Sequence, residues 1–227
     1  MKKVLIVGDV HNEFPRLNDL INKNKDRLEL VICCGDFGYW PSAPASWNVV
    51  PLDHIKNKGI PILWCDGNHE DHWALARRES DELAPDVFYM PRGSTYDLPD
   101  GRRILFMGGA HSIDKQWREF GTDWFPEEVI DHGDIDNLPP DDTRIDILIS
   151  HTCSMELLPI MLEHDSRKVS DPSNYALSII VSIFKPSFWY FGHWHYKKKG
   201  ITENGCNWTA LSMTRRTGWW EWLPERK

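Results

Sequence analysis

Seven side chains of metal-ligating type stand at short, repeated spacings in this sequence. Asp9 and His11 lie in "GDVH", Asp36 in "GD", Asn68 in "GNHE", His151 in "SH", and His193 and His195 in "GHWH". Each group closes an apolar run, where an unpaired imidazole or carboxylate would be costly to bury. In an extended segment residues i and i+2 share a face. The pairs Asp9/His11 and His193/His195 are therefore expected to converge just past their strand ends. Two aspartates, one asparagine and four histidines exceed the four ligands of a structural zinc site. They suit a pair of divalent ions. Mixed nitrogen and oxygen donors favour manganese, iron, zinc or cobalt over calcium or magnesium. Asp36, alone on its strand, is the natural bridge between two ions. Glycine precedes the polar residue in four of the five groups, where it permits a sharp turn and close backbone approach.

The elements that must position these groups are legible in the apolar pattern. "KVLIV", "ELVICC" and "IPILWC" are short β-branched runs, each ended by glycine or Asp-Gly. "EFPRLNDLINKNK" places Phe14, Leu17, Leu20 and Ile21 at helical spacing, and a second crossover helix is expected near 46–58 from Val50, Leu52 and Ile55. This alternation predicts parallel βαβ units. "DVFYM", "STYDL" and "RRILFMGGA" read as strands with antiparallel pairing. "PEEVIDHGDIDNL" carries a helix-start signature at Pro126. "RIDILIS" and "SFWYFG" are buried strands, "SNYALSIIVSIFK" a buried helix, and "CNWTALSM" and "GWWEWLP" closing strands. The sum is an α/β protein of two packed sheets with helices outside. Ligands of such sheets bind beyond the carboxyl ends of the strands, where all seven side chains fall.

Length and charge bound the rest. A chain of 227 residues is expected to form one domain over 1–227. A net charge of −8 argues against broad binding to a nucleic-acid backbone, so nucleic acid is not the favoured partner. The dense basic run "YKKKG" reads as a solvated strand edge. Cys33, Cys34 and Cys65 sit in apolar runs, and no CxxC pair occurs, which points to buried free thiols. The opening "MKKVLIVGDVHN" is too short for a signal peptide or a membrane span. A cytoplasmic protein without membrane contact is expected. Trp219, Trp220 and Trp222 fit a closing strand or a subunit contact, and the oligomeric state stays open.

The ordered motifs "GDVH", "GD", "GNHE", "SH" and "GHWH", from residue 8 to residue 195, resemble those of the calcineurin-like metallophosphoesterase superfamily, in its short phage and bacterial form. The resemblance implies a four-layer α/β/β/α sandwich, two mixed β-sheets packed together and flanked by helices. It implies two divalent metal ions, manganese first, with iron, zinc, cobalt or nickel as alternatives. One ion would take Asp9, His11, Asp36 and His195, the other Asp36, Asn68, His151 and His193. It further implies a hydrolase in which a hydroxide held between the ions attacks phosphorus. His69 looks like the family's non-ligand histidine, a phosphate contact and general acid.

Departures narrow the substrate. The phosphoprotein phosphatase branch carries GDxxDRG, but this chain reads Gly35-Asp36-Phe37-Gly38-Tyr39-Trp40, so protein dephosphorylation is not favoured. Glu70 or Asp71 is a candidate to orient His69. "GGAHSIDKQWR" offers His111, Asp114, Lys115 and Arg118 as a substrate loop, with Arg118 the phosphate contact. Tyr39, Trp40, Trp73, Trp117 and Trp124 stand near motifs and suit core packing or base stacking. Trp194 is expected to face away from the metals. His54, His72, His132 and His164 are expected at the surface. A small phosphomonoester or nucleotide-type phosphodiester is the leading substrate; a nuclease and a non-catalytic adaptor are the competing readings.

Overall fold

The computed structural model describes residues 2–162 and 171–226. The first sheet is built from β1 (Lys3–Val7), β2 (Leu28–Cys33), β3 (Ile62–Trp64), β4 (Glu82–Ala84) and β5 (Val87–Tyr89). The second holds β6 (Thr95–Asp97), β7 (Arg103–Met107), β8 (Ile147–Ser150), β9 (Phe188–Phe191), β10 (Lys198–Ile201) and β11 (Asn207–Ala210). The last strand, β12 (Trp220–Trp222), returns to the first sheet, antiparallel to β1. The strand orders are β12-β1-β2-β3-β5-β4 and β10-β11-β9-β8-β7-β6. In each sheet the central strands are parallel: β1, β2, β3 and β5 in one, β7, β8, β9 and β11 in the other. The expected antiparallel pairing is found between β6 and β7; β5 instead joins the first sheet, parallel to β3 and antiparallel to β4, a strand the apolar pattern does not mark.

Alternation along the central strands fills three cores. Val4 and Ile6 of β1 face Ile104 and Phe106 of β7 and Ile147 and Ile149 of β8, between the sheets. Leu5 and Val7 point outward onto Phe14, Leu17, Leu20 and Ile21 of α1 (Phe14–Asn24). On the far side, Leu105 and Met107 meet Leu177, Ile180, Val181 and Phe184. Those four belong to α5 (Pro172–Phe184); the shorter helices are α2 (His72–Ala76), α3 (His132–Asp136) and α4 (Leu158–Met161). Helices thus cover the outer faces of two stacked sheets, the expected four-layer sandwich. Strands buried on both faces read as unbroken apolar runs.

Two local expectations fail. Residues 46–58 form no α-helix; 3-10 turns at Ala45–Trp47 and Leu52–His54 replace it. Pro51, which lacks an N–H, precedes the second turn, and Asn48 ends the first in the left-handed region at φ 52°. The signature at Pro126 starts only a 3-10 turn, Pro126–Glu128, and α3 follows under its own cap, Asp131 accepting from the Asp134 amide. The lysine run lies on the edge strand β10, where Lys199 reaches Glu221 of β12. The five cysteines are free and buried. Among the described residues no helix is long and apolar enough to cross a membrane.

Candidate metal centre

Five parallel strands, β1, β2 and β3 of one sheet and β8 and β9 of the other, end at the same rim of the sandwich. The turns beyond them carry the seven candidate ligands. His11, Asp36, His193 and His195 have φ of 48°, 46°, 68° and 56°. The two i, i+2 pairs therefore leave their strands through left-handed turns and do not follow the strand alternation that their spacing suggests. Left-handed backbone costs a non-glycine residue about 1–2 kcal/mol, and such strain gathers at functional sites. Glycine matters here for space: a Cβ on Gly192 would collide with the Asp9 carboxylate, and one on Gly67 with that of Asp36.

The side chains fall into two groups that share Asp36. Asp9, His11, Asp36 and His195 each bring a ligand atom within 4.8 Å of the others. His195 Nε2 lies 3.1 Å from Asp9 Oδ2 and 3.1 Å from His11 Nε2, and His11 Nε2 lies 3.6 Å from Asp36 Oδ2. In the second group His151 Nε2 is 3.3 Å from Asp36 Oδ1 and 3.2 Å from Asn68 Oδ1. His193 Nδ1 is 3.0 Å from the same Asn68 oxygen. His193 and His195, neighbours in sequence, thus serve different groups. Trp194 between them packs into the outer core of the second sheet, with its ring edge-on to that of His193 at 5.3 Å between centroids.

The donor chemistry fits divalent cations. His151 Nδ1–H donates to the Cys34 carbonyl at 2.8 Å. That bond commits the Nδ1 proton, so that when the Nε2 proton leaves, a lone pair remains toward Asp36 and Asn68, the tautomer a ligand needs. Two imidazole nitrogens facing each other beside Asp9 are satisfied together by a cation, whereas one proton between them makes a single hydrogen bond. Backbone amides hold the carboxylates in place, His193 N–H on Asp9 at 3.0 Å and His69 N–H on Asp36 at 2.8 Å. Burial opposes charge on Asp36, yet His151, His69 and His11 keep it well below the ordinary carboxylate range. Burial likewise opposes a charged His151, but Asp36 outweighs it and pushes the imidazole up to about 10. The group demands positive charge, which a proton or a metal ion can supply.

His69 stands at the rim with Arg118. The guanidinium Nη2 lies 2.8 Å from His69 Nε2, and Nη1 donates to the Asn68 carbonyl at 3.2 Å. Guanidinium only donates, so His69 Nε2 accepts. Burial, with the Arg118 charge, holds this imidazole down to about 4. Asp114 pairs with Arg118 at 2.8 Å. These groups open on a cleft of about 480 Å³ that is also lined by His11, Trp40, Trp47 and Trp117. Trp117 is 81% exposed. Of the other aromatic residues near the motifs, Trp73 and Trp124 pack on Phe120.

Several supports went unread in the sequence. Glu70 does not orient His69; its buried carboxylate accepts from Gly38 N–H at 2.9 Å and Gly67 N–H at 2.6 Å, tying together the turns of Asp36 and Asn68. Asp71 instead caps α2 through the Ala74 amide. His72 is buried, not superficial: its Nε2–H donates to the Gly67 carbonyl, and Phe125 packs on its ring. Burial pushes it down to about 4. His54 and His132 are exposed as expected, and His164 lies outside the described residues. His111 faces Glu128, away from the donors, while its amide meets Asp171. Buried Asp66, which pairs with Arg92 at 2.6 Å, braces the approach to Gly67. The buried pair Ser112 and Glu128 also went unread, although Ser112 lies inside the motif that drew attention to Arg118.

Comparison with known proteins places this rim in context. The family model of calcineurin-like phosphoesterases matches residues 2–197. No curated protein matches the sequence at a significant level. Among solved structures, a Thermus thermophilus protein, TT1561, is similar with TM-score 0.59 and 11% identity, over 94% of this chain and 90% of that one. The phosphopantetheinyl hydrolase PptH of Mycobacterium tuberculosis has TM-score 0.56 and 13% identity, over 98% and 95%. GAP50, the anchor in the inner membrane complex of Plasmodium, has TM-score 0.50 and 12% identity, over 93% and 71%. At these identities the likeness is one of fold.

Proposed function

The chain belongs to the calcineurin-like phosphoesterase family and is a phosphoric ester hydrolase; from that premise we propose that it cleaves a small phosphomonoester or a nucleotide-type phosphodiester, using two divalent cations, manganese foremost. The observation that carries this reading is the convergence of two donor groups on Asp36, beneath a cleft that also holds His69 and Arg118. Asp9, His11, Asp36 and His195 would hold one cation, and Asp36, Asn68, His151 and His193 the other. When bound, such ions polarise phosphoryl oxygens and lower the pKa of an attacking water.

The chain's own residues then orient the ester. Arg118 Nη1 and Nη2 are held by the Asn68 and Asp123 carbonyls, His69 and Asp114, and the guanidinium would exchange some of these partners for the non-bridging oxygens, a geometry that it matches well. The nitrogen of His69 that faces Arg118 is an acceptor, so the arrangement supports phosphate positioning by this pair more directly than proton delivery to the leaving group. Asp114 would keep the guanidinium aimed inward. Trp40, Trp47 and Trp117 supply flat apolar walls, which favour a base-like leaving group over a phosphorylated side chain of a protein. We further read the protein as one cytoplasmic domain, in keeping with its buried free thiols.

The test is hydrolysis of bis-p-nitrophenyl phosphate and of the monoester by manganese-loaded protein. Nitrophenolate release, abolished by chelation, is expected. Silence toward both esters with every divalent metal would overturn the reading and leave a binding protein. A panel of cyclic nucleotides, nucleoside monophosphates, phosphopeptides and single-stranded nucleic acid then separates the substrate classes, with nucleotides expected to turn over fastest.

A further inference from the structure

A side-chain amide carries an acceptor and a donor of nearly equal shape, and only its partners decide which way round it sits. Asn68 turns Oδ1 toward His151 and His193, at 3.2 and 3.0 Å, and Nδ2 toward Ser112 Oγ at 3.1 Å. Ser112 Oγ in turn donates to Glu128 Oε2 at 2.6 Å. The other oxygen, Glu128 Oε1, accepts the Ser112 backbone N–H at 2.6 Å and the Trp124 indole N–H at 3.0 Å. Three donors therefore converge on one carboxylate. Asn68, Ser112 and Glu128 are only 4%, 1% and 1% exposed, so bulk water is not at hand to take over either partner.

A hydroxyl has one proton. Committed to Glu128, it leaves Ser112 only lone pairs for Asn68, and the amide must then present its NH2 group to Ser112. Its oxygen is left for the histidines. We propose that Ser112 and Glu128 are positioning residues which, through this chain of hydrogen bonds, make Asn68 offer oxygen and not nitrogen to the His151/His193 donor group. The inference rests on the reading of Asn68 as a metal ligand. An amide turned the other way would aim two N–H groups at any cation there. The relay draws on three separate places in the chain: the turn after β3, the turn after β7 and the 3-10 turn Pro126–Glu128. Glu128 also anchors Trp124, in the segment that delivers Arg118, so its effect on polarity has to be separated from simple support.

A double-mutant cycle makes that separation. Manganese is titrated into wild type, Ser112→Ala and Glu128→Gln, followed by calorimetry and electron paramagnetic resonance, and the series is repeated in an Asn68→Asp background. Each single change is expected to weaken one of two ions by about 10–100-fold, the usual effect of losing an outer partner, and to leave the other within about twofold. In the Asn68→Asp background, where both side-chain atoms are oxygen, the same changes should cost less than about twofold. Equal losses in both backgrounds, or none in the first, would overturn the proposal. A second arm needs no metal. Exchange of the Asn68 side-chain NH2 protons, followed by NMR in metal-free protein, should be slow in wild type and at least about tenfold faster in both variants. Unchanged exchange would overturn the proposal as well. Manganese binding indifferent to Asn68→Ala would sink the ligand reading alone, because the proton-exchange arm still decides the relay.

Discussion

In one donor group Asn68 and His151 are held from behind, whereas in the other His11 and His195 look outward. His151 has no exposed side-chain surface and bonds the Cys34 carbonyl; Asn68 is tied to Ser112. The His11 and His195 side chains are 19% and 33% exposed, and their nitrogens mainly face each other and Asp9. Both groups close on Asp36. The difference teaches that ligand geometry can be fixed in two ways. In the inner group the fold itself sets tautomer and amide direction, while in the outer group the occupant completes the arrangement.

The largest effect should come from the residue both groups share. Asp36→Asn should lower kcat/KM beyond the ~10–100-fold that outer-shell changes cost, and metal analysis should show both ions weakened while circular dichroism stays native. Loss of one ion only would break the symmetry assumed for Asp36. Next come His151→Ala and His195→Ala, compared in urea melts of metal-free protein. The first strips a buried carbonyl of its donor, a loss of about 1–3 kcal/mol, and should lower the midpoint clearly. The second should leave stability within about 1 kcal/mol, because its side chain is partly solvated. Equal destabilisation would erase the distinction between the groups. Arg118→Ala, at the rim of both, should raise KM about tenfold with a smaller change in kcat, the expected loss of a charged contact made before and during reaction. A pure kcat effect would assign it to the reaction step alone.

The smallest effect concerns the brace under the inner group. His72 titrates at about 4 in the folded chain, against an ordinary value of 6.5. Between those values the unfolded chain binds more protons, so acid favours unfolding. The contribution of His72 is complete above pH 6.5 and is lost as pH falls toward 4. His72→Gln, which keeps a donor for the Gly67 carbonyl, should flatten the pH dependence of the urea midpoint in that window. An unchanged slope would move the acid sensitivity to other groups.

Much of this architecture was legible because buried strands leave a plain record. After their first residue "KVLIV" and "RILFM" are apolar throughout since both faces are covered, and α1 buries the four residues whose spacing marked them. Donor types at the strand ends were visible for the same reason: a polar residue that ends an apolar run is conspicuous. What was not legible depended on partners distant in sequence. Residues 46–58 form no helix because of Pro51 and a left-handed turn at Asn48. His72, in a polar stretch, owes its burial to Phe125 and to the Gly67 carbonyl. Glu70 looked like a partner for its neighbour His69, but the backbone of Gly38, across the rim, claimed it.

The sequence by itself determined which kinds of atom are available and at which strand ends they emerge, because burial and turn chemistry are local properties of each segment. Only the tertiary structure decided how they pair. His11 meets His195 across 184 positions, His151 takes its tautomer from Cys34, and Asn68 takes its direction from Ser112. Hydrogen-bond polarity and ring orientation are fixed by whichever donor or acceptor the fold brings alongside, and no single stretch of chain contains that partner.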